Sequence, residues 1–157
     1  MVYGCDAAWW IHRKGLPEYP GLKVCWGGNR LPDHPDILRV KIAEVAKEEY
    51  ANYLVFEPGV IGGGMNSGFQ ALNLAVAFGC RRIALAGFDL TDRAGIHWYG
   101  RNTWNNASNP SHNNFRKWAA AFETAAETLR EMGVKVINLN SRSELKAFPF
   151  GAVEDIL

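Results

Sequence analysis

The clearest periodic stretch of the chain is Asn113 to Met132, where Phe115, Trp118, Phe122, Ala125, Leu129 and Met132 recur at spacings of three and four. That period predicts an amphipathic helix, with Ser111 as its cap and Gly133 as its stop. A second helix, from about Ser67 to Phe78, has a different pattern. Phe69, Ala71, Leu72, Leu74, Ala75, Val76, Ala77 and Phe78 make it apolar nearly all round, which predicts a covered, central position. Short apolar runs at Met1–Cys5, Leu22–Trp26, Ile83–Ala86 and Val134–Leu139 read as strands. Ile83 to Ala86 has no polar break and is expected to be a parallel strand buried on both faces.

Other stretches are less sharply patterned. Ala7 to His12 reads as the first turns of a helix, with Trp9 and Trp10 as packing residues and His12 in solvent. Ile37 to Ile42 alternates apolar and charged positions through Arg39 and Lys41, as an edge or half-exposed strand does. Glu44 to Tyr50 fits a helix as well as a continued strand, and Tyr53 to Phe56 reads as a short extended piece. Asn140 to Leu145 reads as a polar turn opening a short helical piece, with Phe148 to Leu157 as a tail. Strands alternating with helices define an α/β domain: a three-layer, Rossmann-like, mostly parallel sheet.

Two stretches break the periodic pattern. Leu90 to Asn114 carries His97, Trp98, Tyr99, Trp104, His112 and six asparagines. An aromatic loop of this length is expected to be functional, and its place after a central strand puts it at the carboxyl edge of the sheet, where open α/β folds bind ligands. The other stretch is Gly62-Gly63-Gly64-Met65-Asn66-Ser67-Gly68-Phe69-Gln70. Its glycines permit a tight curl, Asn66 or Ser67 can cap the helix that follows, and Gln70 stands three residues after Ser67 as a capping box requires. The free N–H groups of that helix start suit an anion such as phosphate, and Asp89 ends the following strand as a carboxylate does in nucleotide-binding units. The plainer account is a tight turn and a cap, because the stretch is neither a P-loop nor a G-x-G-x-x-G fingerprint.

Composition narrows the classes. A length of 157 residues suits a single domain, and 48% apolar with 21% charged residues is ordinary for a soluble one. A formal charge of +1 without a lysine or arginine run argues against nucleic acid as a partner. No apolar run reaches the ~20 residues of a membrane span, and no signal peptide is legible, so a cytoplasmic protein is expected. Cys5, Cys25 and Cys80 suit reduced core thiols, and no zinc-ligand spacing occurs. Six tryptophans are many for this length, and some are expected to line a pocket or an interface.

Several residues are candidates for chemistry. His112, in the first turn of the long helix, suits a general base. Tyr99 can donate to a phosphate oxygen and help a nucleotide depart without a metal, although His97, Trp98 and Tyr99 serve equally well as packing for their loop. Asp6, after the first strand, can contact a ligand hydroxyl, but capping is the preferred account. Asp89 and Asp92 are read as caps in preference to metal ligands.

Three of these stretches resemble a known family. Asn66-Ser67-Gly68 opening an apolar helix, Ile83-Ala84-Leu85-Ala86-Gly87-Phe88-Asp89, and Ser111-His112-Asn113-Asn114 before the long helix resemble the glycosyltransferase family 42 sialyltransferases. They also look like the related archaeal 6-hydroxymethylpterin diphosphokinase-like family, and the chain is similar to uncharacterised phage proteins. The segment Val134 to Phe148, with Asn140-Ser141 and Leu145, is similar to the strand and turn that follow in the sialyltransferases, so the likeness runs from about Gly62 to Phe148, roughly half the chain.

The resemblance implies metal-independent, inverting transfer from a CMP-sugar to a glycan or small-molecule acceptor. His112 would match the general base and Tyr99 the tyrosine on the leaving phosphate. Gly64, Asn66, Ser67, Gly68, Asp89, Asn140 and Ser141 would lie at the nucleotide. No cofactor is implied beyond the nucleotide-sugar co-substrate. The pterin-type alternative, pyrophosphate transfer from ATP, would add Mg²⁺. A third alternative is a non-enzymatic, phage-type binding or assembly protein. The family opens with a strand and a G-x-G-P-S-L-like loop that this sequence lacks. The resemblance therefore implies an N-terminally truncated version whose exposed sheet edge invites a homo-oligomer.

Overall fold

In chain order the elements are strand β1 (Val2–Gly4), helix α1 (Ala7–His12), strands β2 (Lys23–Trp26), β3 (Ile37–Ile42), β4 (Glu44–Ala46), β5 (Glu49–Tyr50) and β6 (Val60–Ile61), helix α2 (Ser67–Ala77), strand β7 (Arg82–Leu85), helix α3 (His112–Glu131) and strand β8 (Lys135–Asn138), with a short 3-10 turn at Val153–Asp155. The structure is a computed structural model that describes residues 1–157 apart from 29, 30, 32, 33, 47, 48, 51, 52, 94 and 98, with backbone only at 44–46, 49 and 50. Trp98 lies outside the described residues.

The fold is α/β. Strands β1, β2, β3 and β6 form a four-stranded, all-parallel sheet in the order β1-β2-β3-β6, and β7 and β8 form a separate parallel pair. Strand alternation sets the layers. Val24 of β2 is register-paired with Tyr3 of β1, and both pack with Val40, Ile42 and Ile61 against Leu74 of α2. Cys25, one residue on and therefore on the opposite face, packs with Val2 and Ile37 against Trp10 of α1. Helix, sheet and helix thus make three layers around β2.

The largest core lies between α2, α3 and the β7–β8 pair. Phe69, Leu72 and Val76 of α2 meet Phe122, Ala125 and Leu129 of α3, with Leu85, Val136, Leu145 and Phe148 closing the cluster. Phe122 is fully buried and meets Phe69, Phe88 and Phe148 edge to face, with centroids at 5.5, 5.7 and 6.2 Å. The long helix follows the period of its sequence. Ser111 caps it by accepting from the Asn114 N–H, and the Asn114 side chain returns a bond to the Ser111 backbone.

Several expectations are corrected. Of the two readings of Ile37–Ile42, half-exposed holds and edge does not: it is an inner strand between β2 and β6, with Lys41 exposed and Arg39 Nη2 donating to the Leu31 carbonyl at 3.0 Å. Of the two readings of Glu44 to Tyr50 the described residues take the strand: Glu44–Ala46 and Glu49–Tyr50 pair antiparallel as β4 and β5. Tyr53 to Phe56 makes no strand; the buried Asn73 side chain pairs with both backbone groups of Val55 instead of a neighbouring strand. Asn140 to Leu145 stays a turn, because the Asn138, Asn140 and Ser143 side chains take its backbone N–H groups locally. Ala84 and Ala86 are exposed, so the β7 region is covered on one face, where Leu85 joins the core. Cys80 is exposed too, at the turn after α2, while Cys25 is buried as expected.

Candidate functional site: an aromatic cavity at the carboxyl ends of the strands

Beyond β1 and β2 the chain opens a cavity of about 870 Å³, whose floor includes Gly4, Asp6, Trp26 and Gly28. Ser67 enters from the start of α2, Trp9 from α1, and His97, Tyr99, Asn102 and Trp104 from the long segment after β7. Trp9, Trp26 and Trp104 therefore line it, as the high tryptophan content led one to expect.

Among its described residues the segment that carries His97, Tyr99 and Trp104 has no strand or helix, so side chains organise it. Asn102 is the hub. Its backbone N–H donates to Asn109 Oδ1 at 2.8 Å and its carbonyl accepts from Asn109 Nδ2 at 3.1 Å. Its side chain donates to the Ser108 carbonyl at 2.9 Å and accepts from the Tyr99 hydroxyl at 3.1 Å. An asparagine amide offers both donor and acceptor, so it can replace a strand neighbour. Two stacks add to this: His97 on Tyr99 with centroids 5.0 Å apart, and Trp104 on His12 of α1 at 4.6 Å. The second stack ties the segment to the body of the domain.

The glycine-rich turn is built differently. Asn66, not Ser67, caps α2, accepting from the Phe69 N–H at 2.8 Å while its Nδ2 donates to the Gly64 carbonyl at 2.9 Å. Gln70 does not complete a capping box. It donates to the Gly63 carbonyl at 2.7 Å and accepts from the Tyr3 hydroxyl at 2.8 Å. Ser67 Oγ accepts from the Cys5 N–H at 3.2 Å and lies 3.0 Å from Cys5 Sγ, which ties α2 to the end of β1. Gly64 is buried with φ +52°, and a Cβ there would fall 2.1 Å from the Phe69 ring. Gly68 lies against Phe88, whose ring would meet an added Cβ at 2.7 Å. The turn's glycines thus serve close packing, and of the predicted nucleotide residues Ser67 reaches the cavity.

The remaining predicted residues lie apart from that cavity. Asp89 accepts a short hydrogen bond from Asn140 Nδ2, joining the ends of β7 and β8, and Ser141 is exposed in the turn beyond. His112 is in the first turn of α3, as predicted, but lines a second cavity of about 310 Å³ with Asp92, Arg93, Phe115, Arg116 and Glu144. Arg93 and Glu144 form an ion pair there at 2.8 Å. Tyr99 and His112 therefore open on different cavities.

Burial tunes two groups at the edge of the aromatic cavity. The Cys5 thiol is pushed up to about 11, first by burial and then by the Asp6 charge. The Tyr3 phenol, desolvated in the same way, is held well above its usual range. Both stay protonated at neutral pH. Asp6 occupies the cap position of α1 but makes no side-chain capping bond; its carboxylate belongs to the cavity wall. That overturns the capping account of this residue. Motif reading singles out neither Trp26 nor Asn102 and takes Trp9 as a packing residue, although the tryptophan count and the asparagine-rich stretch that carries Trp104 point to the cavity.

No family model, curated protein or solved structure matches the chain. Among the described residues, no helix is long and apolar enough to cross a membrane.

Proposed function

We propose that this domain binds a nucleotide sugar in the aromatic cavity and transfers the sugar to a glycan or small-molecule acceptor, in the manner of the sialyltransferases its motifs resemble. One observation carries the reading: the start of α2 and the aromatic loop, the two stretches that stood out from the periodic pattern, converge through Ser67, His97 and Tyr99 on a single cavity at the carboxyl ends of parallel strands. Its volume, about 870 Å³, is that of a nucleotide-sized site. The indole faces of Trp9, Trp26 and Trp104 suit stacking on a base or a sugar ring. In this reading Tyr99 turns its hydroxyl from Asn102 Oδ1 to the leaving phosphate, and His112 takes the acceptor proton. Association through a sheet edge belongs to the same proposal, since β1 and β7 each pair on one side among the described strands.

A second reading, binding without transfer, is favoured by one specific observation: the proposed base and the proposed phosphate donor line different cavities. A thermal-shift titration with CMP, UMP, GMP, ATP and ATP with Mg²⁺ tests the binding step. A ligand at ~100 times its dissociation constant adds about 2.7 kcal/mol, a rise of a few degrees for a domain this size. The proposal expects a CMP-selective rise without metal. A rise with ATP and Mg²⁺ alone, or none with any nucleotide, would overturn it.

A further inference from the structure

The cavity wall combines aromatic faces with a carboxylate, and that combination selects a charge type. We infer that the sugar ring it holds is an amino sugar, with its ammonium against Asp6 and its ring face on the indoles. The inference rests on the sugar-binding half of the proposed function.

Asp6 follows Cys5 where β1 ends, and the small residues Gly4, Ala7 and Ala8 line the cavity beside it, so a ligand can approach its exposed carboxylate closely. Trp9 follows on α1, and Trp104 is held in place by its stack on His12. Aromatic faces are negative at their centres and attract both ammonium groups and the polarised C–H faces of sugars. Ser108 supplies a neutral hydrogen-bonding group of the kind that sugar hydroxyls need. A sugar carrying a free ammonium satisfies all three features at once. A neutral hexose leaves Asp6 unused, and an N-acetylated sugar gives up the charge.

The experiment is calorimetric titration of the whole chain at pH 6.5 with glucosamine, glucose and N-acetylglucosamine, with CMP as a separate arm. The expected result is that glucosamine binds about five- to tenfold more tightly than either neutral sugar. Asp6→Asn should remove the difference. If that variant does not fold, raising salt from ~50 to ~500 mM with the natural chain should narrow the gap, because an exposed ion pair is screened. Equal affinity for the three sugars, or preference for a neutral one, overturns the inference. CMP binding without a glucosamine preference also overturns it while leaving the nucleotide reading intact. Glucosamine preference without CMP binding supports the inference and removes the nucleotide reading.

Discussion

The glycine-rich turn before α2 and the asparagine-rich segment before α3 both interrupt the hydrophobic pattern, yet they do opposite work. In the turn, most polar groups look inward. Gly62 N–H and both backbone groups of Val55 are held by the fully buried Asn73, Gly63 and Gly64 carbonyls are held by Gln70 and Asn66, and Ser67 is tied to Cys5. In the segment before α3, the asparagines hold the backbone and leave aromatic rings facing a cavity. Glycines that resemble a ligand cradle can be needed for packing, and a stretch without periodicity can be ordered enough to build a site.

The contrast predicts that changes in the turn act on stability and changes in the aromatic segment act on binding. Asn73→Ala should have the largest effect. It strips partners from two buried N–H groups and a carbonyl, at 2.9, 2.7 and 2.8 Å, and should lower stability by about 3–4 kcal/mol in urea unfolding. Gly64→Ala should follow with about 2–3 kcal/mol, since it sets a Cβ against the Phe69 ring in a left-handed conformation. A Gly64→Ala protein of unchanged stability but lost ligand affinity would reverse the comparison.

Trp104→Ala should do the opposite. Losing one stacking face costs about 1–3 kcal/mol of binding, roughly ten- to hundredfold in affinity, with a much smaller change in the unfolding midpoint. Equal affinity of the variant and the natural chain would put the ligand elsewhere.

Alkaline pH probes the tie between the turn and the sheet, because Cys5, at the end of β1, is hydrogen-bonded to Ser67 at the start of α2. Its folded pKa is raised, so the unfolded chain releases this proton first. The stability it contributes is complete below about pH 9 and is lost as pH rises through about 11. We expect a decline of roughly 1–2 kcal/mol over that window, Tyr3 adding to it at the upper end, and a shallower one in Cys5→Ala. Urea midpoints at a series of pH values measure it, and identical slopes for the two proteins would exclude Cys5 as a cause.

His112→Ala should be the mildest change. The side chain is exposed, so stability should stay within ~0.5 kcal/mol. CMP affinity should be unchanged, because His112 faces the second cavity, while glycosyl transfer should be lost. Full transfer by this variant would remove the base assignment.

Much of the fold was legible because it rests on local rules. The period of Phe115, Trp118, Phe122 and Leu129, the Ser111 cap and the four apolar strand runs all reappear in place. What was not legible depends on distant partners. Whether Ile37–Ile42 lies at an edge is decided by β6, and whether Ile83–Ala86 is covered twice is decided by what packs on Ala84 and Ala86. The site was legible as a region and less so as residues. Tryptophan richness and the long polar segment indicated a pocket, but Asp6 and Trp26 reach it only because β1 and β2 are parallel neighbours ending at the same edge.

The central claim is that ligand binding belongs to the aromatic cavity. Tryptophan fluorescence during CMP titration reads it directly, since Trp9, Trp26 and Trp104 all line that cavity. The account predicts a saturable, metal-independent change in emission that weakens at least tenfold in affinity in Trp104→Ala. No saturable change, or one that Trp104→Ala leaves untouched, would contradict it.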